Sequence, residues 1–98
     1  MVIRQPKWRI KPEEVEILYT KITWGPFRLE AEVELKVNGH YETVNVPKNL
    51  VNESSKTVKG AVTADVDDGY VLVAFQPTSL GAFAIRIKKS LLKYPIRK

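Results

Sequence analysis

The sequence predicts an all-β domain, a small OB-like barrel or compact sandwich of five to six antiparallel strands. Three observations carry this. Apolar and polar residues alternate with period two from Val15 onward, turn dipeptides separate the alternating runs, and the runs are short. At 98 residues the chain fits one domain with one core, divided into a basic segment (1–11), a β body (12–87) and a second basic segment (88–98).

The first strand runs from Val15 into the turn "WGPF". With Gly25–Pro26 as the loop, Trp24 faces Phe27, Ile22 faces Leu29, Leu18 faces Val33 and Lys21 faces Glu30. In the second strand Phe27, Leu29, Ala31, Val33, Leu35 and Val37 alternate with charged residues, so one face is buried and one is wet. "VNGH" follows, and Asn-Gly between strand-like runs signals a tight hairpin. Taking Asn38–Gly39 as the loop pairs Ala31 with Val46 and Val33 with Val44 on the core side. The same register sets Glu32 against Asn45 and Glu34 against Thr43 on the wet side, and a slip of one residue would spoil both faces.

The stretch "PKNLVNESSK" after the third strand suits one short helical turn. A third hairpin around Asp68–Gly69 sets Val66, Ala64 and Val62 against Val71, Val73 and Phe75. The sixth strand is "AFAIRI", with Phe83, Ile85 and Ile87 inward, and "KKSLLKY" reads as a short C-terminal helix stopped by Pro95. Residues 44–52 (VNVPKNLVN) and 85–93 (IRIKKSLLK) look alike. A duplicated βββ unit accounts for this. Recurrence of a strand running into a helical turn does so too, and is the expected origin.

The net charge of +5 hides a separation. Arg4, Lys7, Arg9 and Lys11 lead the chain, Lys88, Lys89, Lys93, Arg97 and Lys98 close it, and all eleven acids lie between them. Trp8 stands between Lys7 and Arg9, and Tyr94 follows Lys93. Aromatic rings beside cations suit a ligand with stackable bases and phosphates. The expected contacts are therefore Lys7, Trp8, Arg9, Lys11, Lys88, Lys89, Lys93, Tyr94, Arg97 and Lys98. The structural counterpart is that these cations are solvated or pair with the acidic body.

Catalytic and metal chemistry have little footing. Ser54, Ser55, Ser79 and Ser90 sit in loop-like surroundings, and the one histidine, His40, reads as a rim residue beside a turn. "DVDDG" (65–69) bunches its acids and lacks the downstream glutamate of a calcium loop, so it reads as a hairpin turn. The hairpin registers set Glu16 and Glu42 on either side of Leu35, a remote carboxylate pair for glycoside chemistry. No enzyme, cofactor or metal is expected.

Absence of cysteine excludes disulfides, and the longest apolar run, "YVLVAF", is far below the roughly 20 residues that span a bilayer. No apolar region follows the N-terminal cations as a secretory signal would require, so a cytoplasmic location is expected. High Lys, Glu, Val and Ile content with one Met is compatible with a thermophilic source.

"VNVPKNL" resembles the strand-to-helix step of the swapped-hairpin regulators typified by MazE and AbrB. "VDDGYVLVAFQP" resembles their closing hairpin, and "GAFAIRIKKSLL" echoes the first step. "PFRLEAEVEL" and "SLGAFAIRI" are similar to parts of the small barrel subunit of cellular RNA polymerases. No residue role is carried over from either.

The expected function is non-enzymatic binding of nucleic acid, DNA or RNA with single strands favoured, through the basic and aromatic terminal segments and with little sequence specificity. The alternative is an assembly subunit. Tyr70, Leu72 and Ala74 make the fifth strand apolar on its outer face too, which calls for cover by the C-terminal segment, a second copy or another protein.

Overall fold

A computed structural model describes residues 7–24, 29–37, 39–67, 69–78 and 81–94. The turn residues Gly25–Pro26, Asn38 and Asp68 lie outside the described residues, as do Arg97 and Lys98. Among the described residues nine strands run in chain order: β1 (Lys7–Leu18), β2 (Lys21–Trp24), β3 (Glu30–Val37), β4 (His40–Pro47), β5 (Val51–Asn52), β6 (Thr57–Asp67), β7 (Tyr70–Thr78), β8 (Gly81–Lys88) and β9 (Leu92–Lys93). One 3-10 turn (Lys48–Leu50) joins β4 to β5, and another (Lys89–Leu91) joins β8 to β9. All pairings are antiparallel. A curled half-barrel sheet has the order β8-β7-β6-β1-β9, with β5 also on β6, and a smaller sheet has the order β2-β3-β4.

The alternation seen in the sequence builds the core. Ala31, Val33, Leu35 and Val37 of β3 and Val44 and Val46 of β4 turn inward, to meet Val15, Ile17, Val58, Val62, Val71, Val73 and Ile87 of the larger sheet. The β3–β4 register is the one the Asn-Gly turn predicts, with Ala31 opposite Val46 and Val33 opposite Val44. Phe83, Ile85 and Ile87 face inward on β8, as expected. Buried Asn45 donates from Nδ2 to Glu30 Oε1 at 2.9 Å and to Thr78 Oγ1 at 2.8 Å, tying the small sheet to β7.

Two hairpin registers differ from expectation. Trp24 faces Ala31, Ile22 faces Val33 and Lys21 faces Glu34, so the β2–β3 connection is longer than a two-residue loop. The Leu29 carbonyl accepts from the Lys48 N–H at 2.7 Å, which engages Leu29 with the 3-10 turn instead of β2. Leu18 lies in β1 opposite Thr57, away from Val33. Around Asp68–Gly69, Asp67 faces Tyr70, but bulges shift the rest, setting Ala64 opposite Leu72 and Val62 opposite Val73. At the first bulge Thr63 Oγ1 donates to the Leu72 carbonyl at 3.3 Å, an alternative to the regular ladder. The C-terminal stretch forms one 3-10 turn and a short strand, without a longer helix.

The likeness of 44–52 to 85–93 extends to neighbouring elements, the same shift setting β3 on β7 and β4 on β8, while most of β1 has no strand counterpart. Both segments are a strand, a 3-10 turn and a two-residue strand, with an extended residue on either side of the turn. The shift that carries Val44 onto Ile85 also carries Ile17 onto Val58, which face each other in the β1–β6 pair. It carries the Val51–Val58 contact of β5 and β6 onto the Leu92–Ile17 contact of β9 and β1. With a single-residue slip it carries Ala31, Val33 and Leu35 onto Val71, Val73 and Phe75, all buried. Each half hands its last strand to the other half. A duplicated unit accounts for these exchanged contacts.

Gly60 sits opposite Val15 at the centre of this arrangement. A Cβ there would lie 2.7 Å from Val73 Cγ1, 3.2 Å from Phe75 Cε1 and 3.3 Å from the Ala74 carbonyl oxygen. Gly60→Ala is expected to destabilise the fold by about 1–3 kcal/mol through overpacking, less whatever the stiffer backbone returns, and Gly60→Val by more. Urea unfolding midpoints check this. A Gly60→Ala protein as stable as wild type would show that Val73 and Phe75 yield freely.

Candidate nucleic-acid interface

The β1–β6 ladder is interrupted near its start. Lys7 faces Asp65 and Trp8 faces Ala64, but the next registered pair is Glu13 with Val62. Residues 9–12 therefore stand out of register as a wide bulge. Arg9 closes its base. Its Nη1 donates to Glu13 Oε1 at 2.9 Å, while Nε and Nη2 donate to Asp65 Oδ2 at 3.2 Å and Oδ1 at 3.0 Å. A planar guanidinium engaging one carboxylate twice is the geometry that fixes a side chain best. Lys89 Nζ joins from β8's end, 3.7 Å from Asp65 Oδ1, and the Lys89 N–H donates to the Gly69 carbonyl at 2.8 Å.

The registered start of β1 and the bulge after it hold apolar residues outward. Trp8 is 65% exposed and Ile10 fully so, with exposed Lys7 and Lys11 beside them. Lys88 lies at the same end of the sheet, opposite Tyr70, and the Arg86 guanidinium stacks on the Tyr70 ring at 4.1 Å. Acids stand at this end too, Glu13 and Glu14 after the bulge and Asp65 and Asp67 at the end of β6, with a further group on the small sheet. Glu30, Glu32 and Glu34 share a strand of the small sheet.

The structure thus brings together Lys7, Trp8, Arg9, Lys11, Lys88 and Lys89, and separates them from Lys93 and Tyr94. Lys93 is opposite Glu16, near the other end of β1. From Trp8 to Glu16 is a separation of up to about 26 Å for extended chain. From Lys7 onward the basic N-terminal segment is part of a strand. Arg9 and Lys89 share one carboxylate, so they offer less to an anion than their formal charges suggest.

Other expectations change as well. The C-terminal residues 92–93 dock on β1, so the Tyr70–Leu72–Ala74 row is not covered by them, and it remains half-buried. Glu16 faces Lys59 and Lys93 and accepts from Thr57 Oγ1 at 2.6 Å, so it does not share Leu35 with Glu42. Glu42 does face Leu35, and its Oε1 lies 3.0 Å from Nε2 of exposed His40. Sequence reasoning missed Asp65 as the clamp, since "DVDDG" reads as turn residues, and it missed the exposure of Ile10. The available signal was Pro12, which lacks an N–H and disrupts a regular ladder.

Comparison with protein-family models, curated proteins and solved structures finds no match for this chain.

Hydrogen bonds from Arg9 hold the Asp65 carboxyl below the usual carboxylate range, against the smaller opposing effect of desolvation. A carboxyl depressed in the folded state stabilises above its unfolded value near pH 4, and that contribution fades as pH falls through the folded value. Partial exposure limits it to about 1 kcal/mol or less. The stability gap between wild type and Asp65→Asn is expected to be constant above about pH 5 and to shrink below about pH 4. Urea unfolding across this range tests it, and a gap unchanged down to about pH 2 would disprove the clamp.

Proposed function

We propose that this protein binds nucleic acid without catalysis, with the bulged start of β1 as the contact surface. The observation that carries the reading is Trp8, largely exposed on β1 directly before the pinned bulge, with exposed Lys7 and Lys11 on either side of it. A curled, OB-like β-sheet domain is consistent with nucleic-acid-binding β-folds in general. An indole offers a stacking face to any base, and the lysines neutralise phosphates without reading sequence. Single strands are favoured because their bases are free to stack. The acidic strand β3 repels a polyanion and restricts the approach to the basic end.

A second reading has its own observation. The outer row of Tyr70, Leu72 and Ala74 is half-buried on a strand that is apolar on both faces. An assembly partner would complete its burial.

The test is fluorescence titration with a short single-stranded oligonucleotide in a Trp24→Phe background, so that Trp8 alone reports. Stacking should quench Trp8, and Trp8→Ala should cost about 1–3 kcal/mol. With about three phosphates met by Lys7, Lys11 and Lys88, log K should fall against log[salt] with a slope of about −2 to −3. Lys11→Gln should flatten that slope, whereas Lys93→Asn should leave it unchanged. No binding of micromolar oligonucleotide at low salt would remove the proposal and promote the assembly reading.

A further inference from the structure

The duplication supplies an internal comparison between two grooves. One, of about 390 Å³, runs beside the first 3-10 turn, where Leu50 overlooks Ala61, Ala74 and Gln76. The other, of about 310 Å³, lies where β1 meets the second 3-10 turn and the end of β3. Its apolar lining is Ile17, Leu18, Leu91 and Leu92. Its polar lining is Thr20, Lys36, Ser90 and Lys93, with no acid.

The two grooves correspond in part, Leu91 matching Leu50, Thr20 matching Ala61, Leu18 matching Lys59 and Lys36 matching Gln76. The shift that carries Leu50 onto Leu91 carries Asn52 onto Lys93, and the slipped shift of β3 onto β7 carries Lys36 onto Gln76. The strand–turn–strand architecture therefore forms with an amide in place of each lysine, although Asn52 lies outside the groove beside Leu50, which is lined by Lys59 and Glu14 as well as Gln76. Among the described residues no carboxylate lies within ion-pairing reach of Lys36 or Lys93, and the Lys36 ammonium has only the Tyr41 ring, at 5.9 Å. The acids nearest in register are engaged by hydroxyls: Glu16 by Thr57 at 2.6 Å and Glu34 by Thr20 at 2.9 Å.

Four aliphatic side chains beside two ammonium groups that have no carboxylate partner among the described residues suit one ligand chemistry. We propose that this groove binds a small amphipathic monoanion, an aliphatic carboxylate. Its chain lies on Ile17, Leu18, Leu91 and Leu92, and its head group meets Lys36 and Lys93 at the rim. Trp8 is at the opposite end of β1, so this site is independent of the nucleic-acid reading.

Amide chemical-shift titration with butanoate, hexanoate and octanoate tests the proposal, with hexanol and inorganic phosphate as the single-feature probes. Shifts are expected at Leu18, Ser90 and Leu92, and affinity should rise by up to about fourfold for each added methylene. Hexanoate should bind more tightly than hexanol. Lys36→Gln and Lys93→Asn install the other half's residues, so folding should be preserved while hexanoate weakens by about threefold each and hexanol is unaffected. Equal binding of hexanoate and hexanol would overturn the proposal. So would shifts confined to the groove beside Leu50, equal response to phosphate, or no shift at millimolar octanoate.

Discussion

The pairing of β1 with β6 is the constraint on which the rest of the structure depends. Val15, Ile17 and Val58 are essentially sealed from water along this seam, and Gly60 leaves room there for Val73 and Phe75. Both strands also carry a short strand from the other half, β9 on β1 and β5 on β6. The small sheet is not hydrogen-bonded into this ladder. It adheres through Val33, Leu35, Val44 and Val46, and through Asn45 reaching Thr78. Loosening the seam would remove the support of both short strands and the surface on which the small sheet packs.

Asp65 plays the corresponding part for the basic end. Without a carboxylate there, Arg9 would lose its bidentate partner and Lys89 its counter-charge. Asp65 and Glu13 pin the bulge through Arg9, and Asp65 moderates the charge around it. The remaining lysines face water, where their fields fade over a Debye length of about 8–10 Å at physiological salt. Binding through them would be short-ranged and sensitive to ionic strength.

Much of the fold was legible in the sequence because alternation and Asn-Gly chemistry are local. The β3–β4 hairpin shows this, where turn and binary pattern impose the same register. The β2–β3 hairpin escaped because its register answers to a distant bond, Lys48 N–H to the Leu29 carbonyl. The β6–β7 offset escaped because bulges leave little trace in composition. The candidate interface was legible as types, cations beside aromatics, but not as a place. Only the topology brings Lys89 to Arg9 and sends Lys93 to Glu16. The duplication lay open in two similar segments, yet its meaning needed the exchanged partners of Ile17 and Val58 to be seen.

The exchange of terminal strands has a kinetic consequence. Leu92 must find Ile17 across nearly the whole described chain, a closure of high contact order that local hairpins cannot accelerate. Until it does, the outer edge of β1 offers unpaired backbone groups while three consecutive hairpin strands of the second half can already be formed. An edge in that state does not distinguish its own β9 from a neighbour's.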